Sequence, residues 1–253
     1  MSSSSSRRQT LRILAVLTDK SPLGASTRMG LLALCLAPVC AALACHFAAG
    51  KGLIAASLFM ALAAFTTVMM IRTYPHSRLG LCNAVTLLRA GMACALTAPL
   101  FLAGPPDYAV AWTICSVAAL ALALDGLDGW AARSSGLGSN FGARFDMEVD
   151  AAFGLILAAL AIDMGKAGAW VLLLGSMRYL FGIAALWLPW LGGPLPERFS
   201  RKLVCVLQIT ALITLLAPPI TGGIATLIAL TGILALAWSF AVDVVYLANR
   251  RPT

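Results

Sequence analysis

The chain has 253 residues, of which 60% are hydrophobic and only 11% are charged, and its formal net charge is +8. Soluble domains carry about 25% charged residues, so this composition excludes an ordinary water-facing surface and indicates a membrane protein. The basic residues lie between apolar runs, which argues against a nucleic-acid partner and favours contact with anionic lipid head groups.

The apolar runs define the predicted elements. A helix that crosses a bilayer needs about 20 mostly apolar residues, and a strand there would leave backbone groups unpaired, so we predict an all-α polytopic fold. Eight transmembrane helices are predicted, over residues 29–50, 52–71, 84–104, 108–127, 147–165, 167–191, 203–219 and 222–248. We divide the chain into an N-terminal tail (1–28), two additional helices (29–72), a core of six helices (73–248) and a C-terminal tail (249–253).

Positive charges are distributed unequally between the two sides of this predicted bundle. One side carries only Lys51 and Lys166. The other side carries Arg7, Arg8, Arg12, Lys20, Arg28, Arg72, Arg78, Arg133, Arg144, Arg198, Arg201, Lys202, Arg250 and Arg251. Because cytoplasmic loops are enriched in Lys and Arg, we expect both termini to lie in the cytoplasm. We expect the membrane to be the inner, cytoplasmic membrane.

Unusual polar residues begin with the third predicted helix. Asn83, Thr86 and Arg89 are spaced three residues apart and therefore share one helix face. Asn83 could be an ordinary helix cap and Arg89 could reach the membrane interface, or the three could contribute to a binding site.

Five of the ten acidic residues lie within 26 positions, around the junction of the fourth and fifth predicted helices. Asp125 and Asp128 are three residues apart, and Asp146 and Asp150 are four apart, so each pair projects from one helix face while Glu148 points elsewhere. Charges at helix ends that only face water would not need this spacing of three and four residues. Carboxylates at membrane depth are costly, so we interpret this group as a functional site.

Four converging carboxylates would repel one another in a poorly hydrated site. Divalent cations remove that conflict, and Mg²⁺ or Mn²⁺ prefers oxygen ligands. Neither His nor Cys stands among the aspartates, which argues against zinc. We therefore predict a site for Mg²⁺ or Mn²⁺, with two ions, at Asp125, Asp128, Asp146 and Asp150.

The residues around the aspartates resemble the signature of a known family. Residues 125–133 read D-G-L-D-G-W-A-A-R, and after eight further residues 142–150 read G-A-R-F-D-M-E-V-D. This segment is similar to the D-x-x-D-G-x-x-A-R, eight residues, G-x-x-x-D-x-x-x-D signature of the CDP-alcohol phosphotransferases, with every fixed position present. The face of Asn83, Thr86 and Arg89 resembles the P-N-x-x-T-x-x-R start of that family's core, with Cys82 in place of the proline.

The resemblance implies a six-helix core and a role for each matching residue. Asp125, Asp128 and Asp146 are implied to hold metal, and Asp150 to approach the metal and act as the general base. Residues implied to bind the donor nucleotide, by leaving room for it or contacting its phosphates, are Gly129, Ala132, Arg133, Gly142, Asn83 and Thr86.

Basic residues near the seventh predicted helix are candidates for the acceptor site. Arg198, Arg201 and Lys202 could serve only to orient the protein, or could bind a phosphate on the acceptor, for which an arginine fork is well suited. Arg178 lies in mid-helix, where it should face a polar cavity or pair with a carboxylate such as Asp243. We include Arg178 with the three cluster residues as acceptor-binding.

These observations and the resemblance favour an enzyme of phospholipid biosynthesis. We predict that it moves a phosphatidyl group from CDP-diacylglycerol to a small hydroxyl acceptor, with glycerol-3-phosphate the best candidate, and releases CMP. Transfer from CDP-choline or CDP-ethanolamine to diacylglycerol is an alternative. A cation-coupled transporter would explain the aspartates but not the Gly-Ala-Arg spacing, and the intact aspartates speak against a scaffold without catalysis. We expect a homodimer with a cytoplasmic active site.

Overall fold

A computed structural model describes residues 23–135, 139–193, 195–196 and 198–250, although not the side chains of 23 and 127–135. Within these ranges the chain forms eight α-helices and no strand, which confirms the all-α prediction. The helices are α1 (Leu23–Phe47), α2 (Gly52–Thr73), α3 (Leu81–Ala95), α4 (Tyr108–Ser135), α5 (Asn140–Asp163), α6 (Leu172–Trp187), α7 (Phe199–Leu216) and α8 (Gly222–Ala248). Short 3₁₀ helices occupy Ala98–Phe101, Ala169–Val171 and Pro189–Gly192.

Seven of these helices are long and apolar enough to cross a membrane, so the chain is an integral membrane protein. The remaining helix, α5, carries Asp146, Glu148 and Asp150 in its first half. Its second half is apolar and enclosed by other helices, with Leu157 and Leu160 fully buried. A central position, in contact with α2, α3, α6 and α7, explains how α5 can carry charge inside a membrane bundle.

Several predicted boundaries differ from the structure by a few residues, and the starts of α1 and α5 lie six and seven residues earlier than predicted. Helix α1 begins at Leu23 rather than 29, because the early turns contain polar residues that the hydropathy pattern does not count. Helix α5 begins at Asn140 rather than 147, because the hydroxyl of Ser139 caps the helix by accepting a hydrogen bond from the Gly142 N–H at 3.0 Å.

The first two helices form a tight hairpin. Gly50 turns the chain with φ +77°, a left-handed conformation that glycine adopts without steric cost. Gly52 lies so close to α1 that a Cβ added there would come within 2.6 Å of the Ala41 carbonyl oxygen. The hairpin packs against α3, where the Phe59 ring lies over Gly91.

Helices α6 and α7 both pack on α5, but they have little contact with each other. They are joined where Gln208 of α7 donates a hydrogen bond to the Leu174 carbonyl oxygen of α6. Close to that point Gly175 is pressed against α5, since a Cβ added there would lie 2.5 Å from the Leu155 Cα. The rest of the space between α6 and α7 is a cavity, which also reaches α4, α5 and α8.

At the opposite end of the bundle, a lysine connects the loop after α5 to the residues after α7. The Lys166 ammonium, in the loop after α5, donates hydrogen bonds to the carbonyl oxygens of Ala217, Pro218 and Ile220 at 3.0, 3.1 and 2.9 Å. These carbonyls directly follow α7, so the lysine joins the loop after α5 to the end of α7.

Candidate active site

Three of the four predicted aspartates converge where α4 meets α5. One carboxylate oxygen from each of Asp125, Asp146 and Asp150 lies within 4.8 Å of the others. The side chains are 20%, 34% and 40% exposed, so the group is open to the cavity. The i, i+4 spacing places Asp146 and Asp150 on one face of α5, opposite Asp125 of α4. The side chain of Asp128 lies outside the described residues.

A buried arginine from α3 bridges the three carboxylates. Arg89 Nη1 lies 3.0 Å from Asp125 Oδ1 and 2.7 Å from Asp146 Oδ1, and Nη2 contacts Asp150 Oδ1. Arg89 Nε donates a hydrogen bond to the Ala121 carbonyl oxygen of α4 at 3.1 Å, which anchors the guanidinium. The sequence pattern grouped Arg89 with Asn83 and Thr86 as a possible binding face, and it did not identify this contact with the aspartates. The four side chains together keep a formal charge of −2.

The chemistry of this group fits a hard divalent cation. All three side chains offer carboxylate oxygens, and their separation of at most 4.8 Å allows several of them to bind one ion. Arg89 compensates only one of the three negative charges, so the group retains the excess that an ion would balance. Asp125, Asp146 and Asp150 could therefore hold Mg²⁺ or Mn²⁺.

A second group of predicted site residues forms a corner between α3 and α5. Asn83 is buried, and a Cβ added to Gly142 would lie 2.8 Å from Asn83 Oδ1, so glycine is required for this close approach. Within the described part of the chain, Asn83 Nδ2 has no hydrogen-bond partner. Thr86 is also buried, and its hydroxyl donates to the Cys82 carbonyl oxygen at 2.9 Å.

Three other predicted nucleotide-binding residues lie on the last turns of α4. The backbone of Gly129, Ala132 and Arg133 is helical, because α4 continues to Ser135. Their side chains lie outside the described part of the structure.

The aspartates form one end of a cavity of about 1190 Å³ between α6 and α7. The cavity is also lined by the predicted acceptor residues, which are Arg178, Arg198, Arg201 and Lys202. The structure therefore brings the acidic group and the basic cluster to one continuous space. Lys202 is the cluster residue that interacts electrostatically with Asp146.

The ion pairs in the cavity differ from the predicted one. The suggestion that Asp243 pairs with Arg178 is wrong, because Arg178 Nη2 contacts Glu148 Oε1 at 2.6 Å. Asp243, which is 5% exposed, instead contacts Arg201 Nε at 3.1 Å and Arg201 Nη2 at 3.2 Å, with Arg198 Nη1 3.9 Å away. Glu148 points away from the three aspartates, as its position between Asp146 and Asp150 predicted.

Comparison with known proteins gives this cavity a chemical context. Residues 79–242, about two thirds of the chain, match the family model described as CDP-alcohol phosphatidyltransferase. The chain belongs to the CDP-alcohol phosphatidyltransferase family. Neither the curated proteins nor the solved structures yielded a significant match.

Membership defines the class of reaction. This CDP-alcohol phosphatidyltransferase is a transferase of phospholipid biosynthesis, which excludes the transporter as the explanation of the aspartates. Members of the family use a divalent metal, in agreement with the donor set of Asp125, Asp146 and Asp150. The matched segment begins just before α3 and ends in α8, so the hairpin of α1 and α2 lies outside it.

Proposed function

We propose that this enzyme transfers the phosphatidyl group of CDP-diacylglycerol to a small phosphorylated alcohol, with glycerol-3-phosphate the best candidate, and releases CMP. The observation that carries the proposal is the single cavity that joins the three aspartates to the basic cluster. The acidic end suits a metal and the reacting phosphates, and the basic end suits a second phosphate on the acceptor.

The charges at the basic end support a phosphorylated acceptor. Arg198 and Arg201 lie beside one carboxylate, Asp243, and Lys202 lines the same cavity, so these four side chains carry a formal charge of +2. A phosphate monoester carries about −1.5 to −2 at neutral pH, which nearly balances this excess. Choline and ethanolamine offer an ammonium group instead, which the basic end would repel, and serine carries one ammonium and one carboxylate, so it has no net negative charge to balance the excess.

The corner of Asn83 and Gly142 is our proposed contact for the CDP part of the donor. An unpartnered amide donor in a buried position is costly, and an oxygen of the nucleotide or its phosphates would satisfy Asn83 Nδ2. Gly142 leaves room for that approach. We assign Thr86, Gly129, Ala132 and Arg133 to the same subsite through their positions in the family signature.

The diacyl part of the donor would remain in the bilayer. Large apolar side chains on α6 and α7 line or flank the cavity, and Leu186, Trp187 and Phe199 are 80%, 81% and 82% exposed. Such exposure on a membrane protein indicates contact with lipid. Each buried CH₂ contributes about 0.8 kcal/mol, so a donor whose chains stay among lipids avoids a large desolvation cost.

The aspartates supply the chemistry. Two ions of Mg²⁺ or Mn²⁺ would be held by the four aspartates, Asp125, Asp128, Asp146 and Asp150. When bound, the ions would stabilise negative charge on the attacking and leaving oxygens. Asp150 accepts the proton of the acceptor hydroxyl, whose oxygen then forms a bond to the phosphorus that bears the diacylglycerol. The bond from that phosphorus to the bridging pyrophosphate oxygen breaks, and CMP leaves with the electron pair.

We further propose that both termini and the site face the cytoplasm in a cytoplasmic membrane. This orientation is supported by the loop charges, since Lys51 and Lys166 stand alone on the opposite side. We also propose a two-helix N-terminal unit on a six-helix core, and a homodimer. Light scattering of the purified protein in detergent tests the dimer, and a mass of one chain would contradict it.

The acceptor is tested directly with purified protein, CDP-diacylglycerol and Mg²⁺. Release of CMP and formation of a new lipid would be measured with glycerol-3-phosphate, inositol phosphate, inositol, serine and choline as separate acceptors. We expect product with glycerol-3-phosphate, and loss of all product with EDTA or in Asp146→Asn. Product with serine or choline alone would contradict the phosphorylated acceptor, and normal turnover in Asp146→Asn would contradict the metal site.

A further inference from the structure

The start of α3 lacks the groups that usually fix a helix end. Its N-cap is Gly80, which has no side chain, and its first turn, Leu81, Cys82 and Asn83, contains neither proline nor an acidic residue. This helix nevertheless positions Asn83 at the nucleotide corner and Arg89 among the aspartates. No side chain at the N-cap fixes this helix start, so contacts from the preceding loop are candidates for that role.

Tyr74, the residue that follows α2, provides such a contact. Its hydroxyl donates a hydrogen bond to the Arg78 carbonyl oxygen at 3.1 Å and accepts one from the Gly80 N–H at 3.4 Å. The side chain is only 4% exposed. Burial raises the pKa of Tyr74, so the hydroxyl remains protonated and able to donate. The Tyr74 side chain thus closes the loop from 74 to 80, and this loop ends at Gly80, the N-cap of α3.

The same tyrosine also contacts the other side of the nucleotide corner. Its ring lies edge-on to Phe141, with centroids 5.8 Å apart, and Phe141 in turn stacks on Phe145 at 6.0 Å. Phe141 directly precedes Gly142, which faces Asn83 Oδ1. The Asn83 side chain lies beside the Tyr74 hydroxyl. Tyr74 therefore contacts both elements, α3 and α5, whose junction forms the corner.

The hairpin that carries Tyr74 is firmly attached to the core. The Phe59 ring of α2 packs on Gly91 of α3. Gly24 of α1 lies close to the loop before α3, since a Cβ added to Gly24 would lie 3.1 Å from the Ser77 carbonyl oxygen. Tyr74 and the hairpin lie outside the segment that matches the family, 79–242. The position of the loop thus depends on a part of the chain that the family match does not include.

We propose that Tyr74 is a positioning residue through which the hairpin of α1 and α2 fixes the Asn83–Gly142 corner and thereby sets the affinity for the donor nucleotide. The inference rests on the proposed function of that corner in binding CDP. Tyr74 itself does not line the cavity and takes no part in the chemistry.

The test uses the full-length protein with Tyr74→Phe, which keeps the ring and removes both hydroxyl hydrogen bonds. We expect the KM for CDP-diacylglycerol and the inhibition constant of CMP to rise roughly three- to tenfold. The KM for the acceptor and kcat should stay within about twofold, because the basic cluster and the aspartates are not touched. Tyr108→Phe, at an exposed tyrosine on α4, is the matched control and should change nothing.

A double-mutant cycle separates positioning from general stability. If Tyr74 acts through Asn83, the double variant Tyr74→Phe/Asn83→Ala should bind CMP no more weakly than Asn83→Ala alone. Multiplicative losses would overturn the proposal. Adding Cys82→Pro to Tyr74→Phe should restore much of the lost affinity, since proline in a first turn pre-organises the helix start. No recovery would contradict a role at that start.

The outcomes also distinguish this inference from the proposed function. If Asn83→Ala weakens donor binding and Tyr74→Phe does not, the corner binds the nucleotide and the role of Tyr74 is wrong. If Asn83→Ala leaves both the donor KM and CMP binding unchanged, the assignment of the corner to CDP is wrong. Equal thermal unfolding of wild type and Tyr74→Phe would show that any loss of affinity is not a loss of fold.

Discussion

Replacing Arg89 with methionine tests how the acidic end of the cavity is balanced. The variant keeps a long side chain but removes the cation that, among the described residues, contacts Asp125, Asp146 and Asp150, so the charge of these side chains falls from −2 to −3. Removing one partner of a fully buried ion pair costs about 3–5 kcal/mol. The three carboxylates are 20–40% exposed, and solvent screening reduces the expected loss to about 1–3 kcal/mol.

The assay is thermal unfolding of the purified protein in detergent, with EDTA and with excess Mg²⁺. In EDTA, Arg89→Met should unfold at a temperature several degrees below that of wild type, since about 1 kcal/mol corresponds to roughly 2–4 °C for a chain of this size. Mg²⁺ should stabilise the variant more than wild type, because bound cations replace the missing charge. Arg89→Lys, which keeps one positive charge, should fall between them. Equal unfolding temperatures in EDTA for wild type and Arg89→Met would refute the reasoning.

Three further predictions concern other parts of the bundle. Lys166→Met should lower the free energy of unfolding by about 1–3 kcal/mol, because three carbonyl oxygens lose the hydrogen bond from the ammonium group. The kcat of the folded enzyme should not change. A lowered kcat at unchanged stability would contradict a purely structural role. N-ethylmaleimide should inactivate the enzyme through Cys205, which lines the cavity, and CDP-diacylglycerol should protect it; inactivation of Cys205→Ser at the wild-type rate would exclude this. Gly142→Ala should raise the donor KM roughly tenfold or more, since its Cβ would lie 2.8 Å from Asn83 Oδ1; an unchanged donor KM would show that Asn83 can move without loss.

The helices could be predicted where one local signal defines them. The predicted spans 52–71 and 222–248 nearly coincide with α2 and α8, because each is predominantly apolar and begins at a glycine. Helix α5 was predicted less well, since its first two turns are polar and only the Ser139 cap marks its start. Hydropathy finds contact with lipid, whereas the beginning of α5 is determined by capping and by its place at the centre of the bundle.

The site shows the same division between local and distant information. The convergence of Asp146 and Asp150 could be predicted because a four-residue spacing determines their common face. Arg89 lies 57 residues before Asp146, and no local pattern identifies which arginine reaches the carboxylates. Asp243 and Arg201 are separated by 42 residues, and the pairing suggested from sequence was wrong for the same reason. Tertiary packing alone determines these two ion pairs.

Counted over the described side chains of the two groups, these distant pairs give the two ends of the cavity opposite and equal charges. Arg89 leaves −2 among the aspartates, and Asp243 leaves +2 within the basic cluster, so the groups balance inside a bundle of low dielectric constant. The separation of the charges has a consequence for an acceptor that carries both a phosphate and a hydroxyl. Under the proposed function its phosphate would bind at the basic end, and its hydroxyl would face Asp150 at the opposite end of the same cavity. Orientation of this kind requires a net negative charge at one end of the acceptor. Inositol carries no charge, and the carboxylate and ammonium groups of serine cancel. Exchange of the charge at the basic end is therefore the most direct route to a different acceptor.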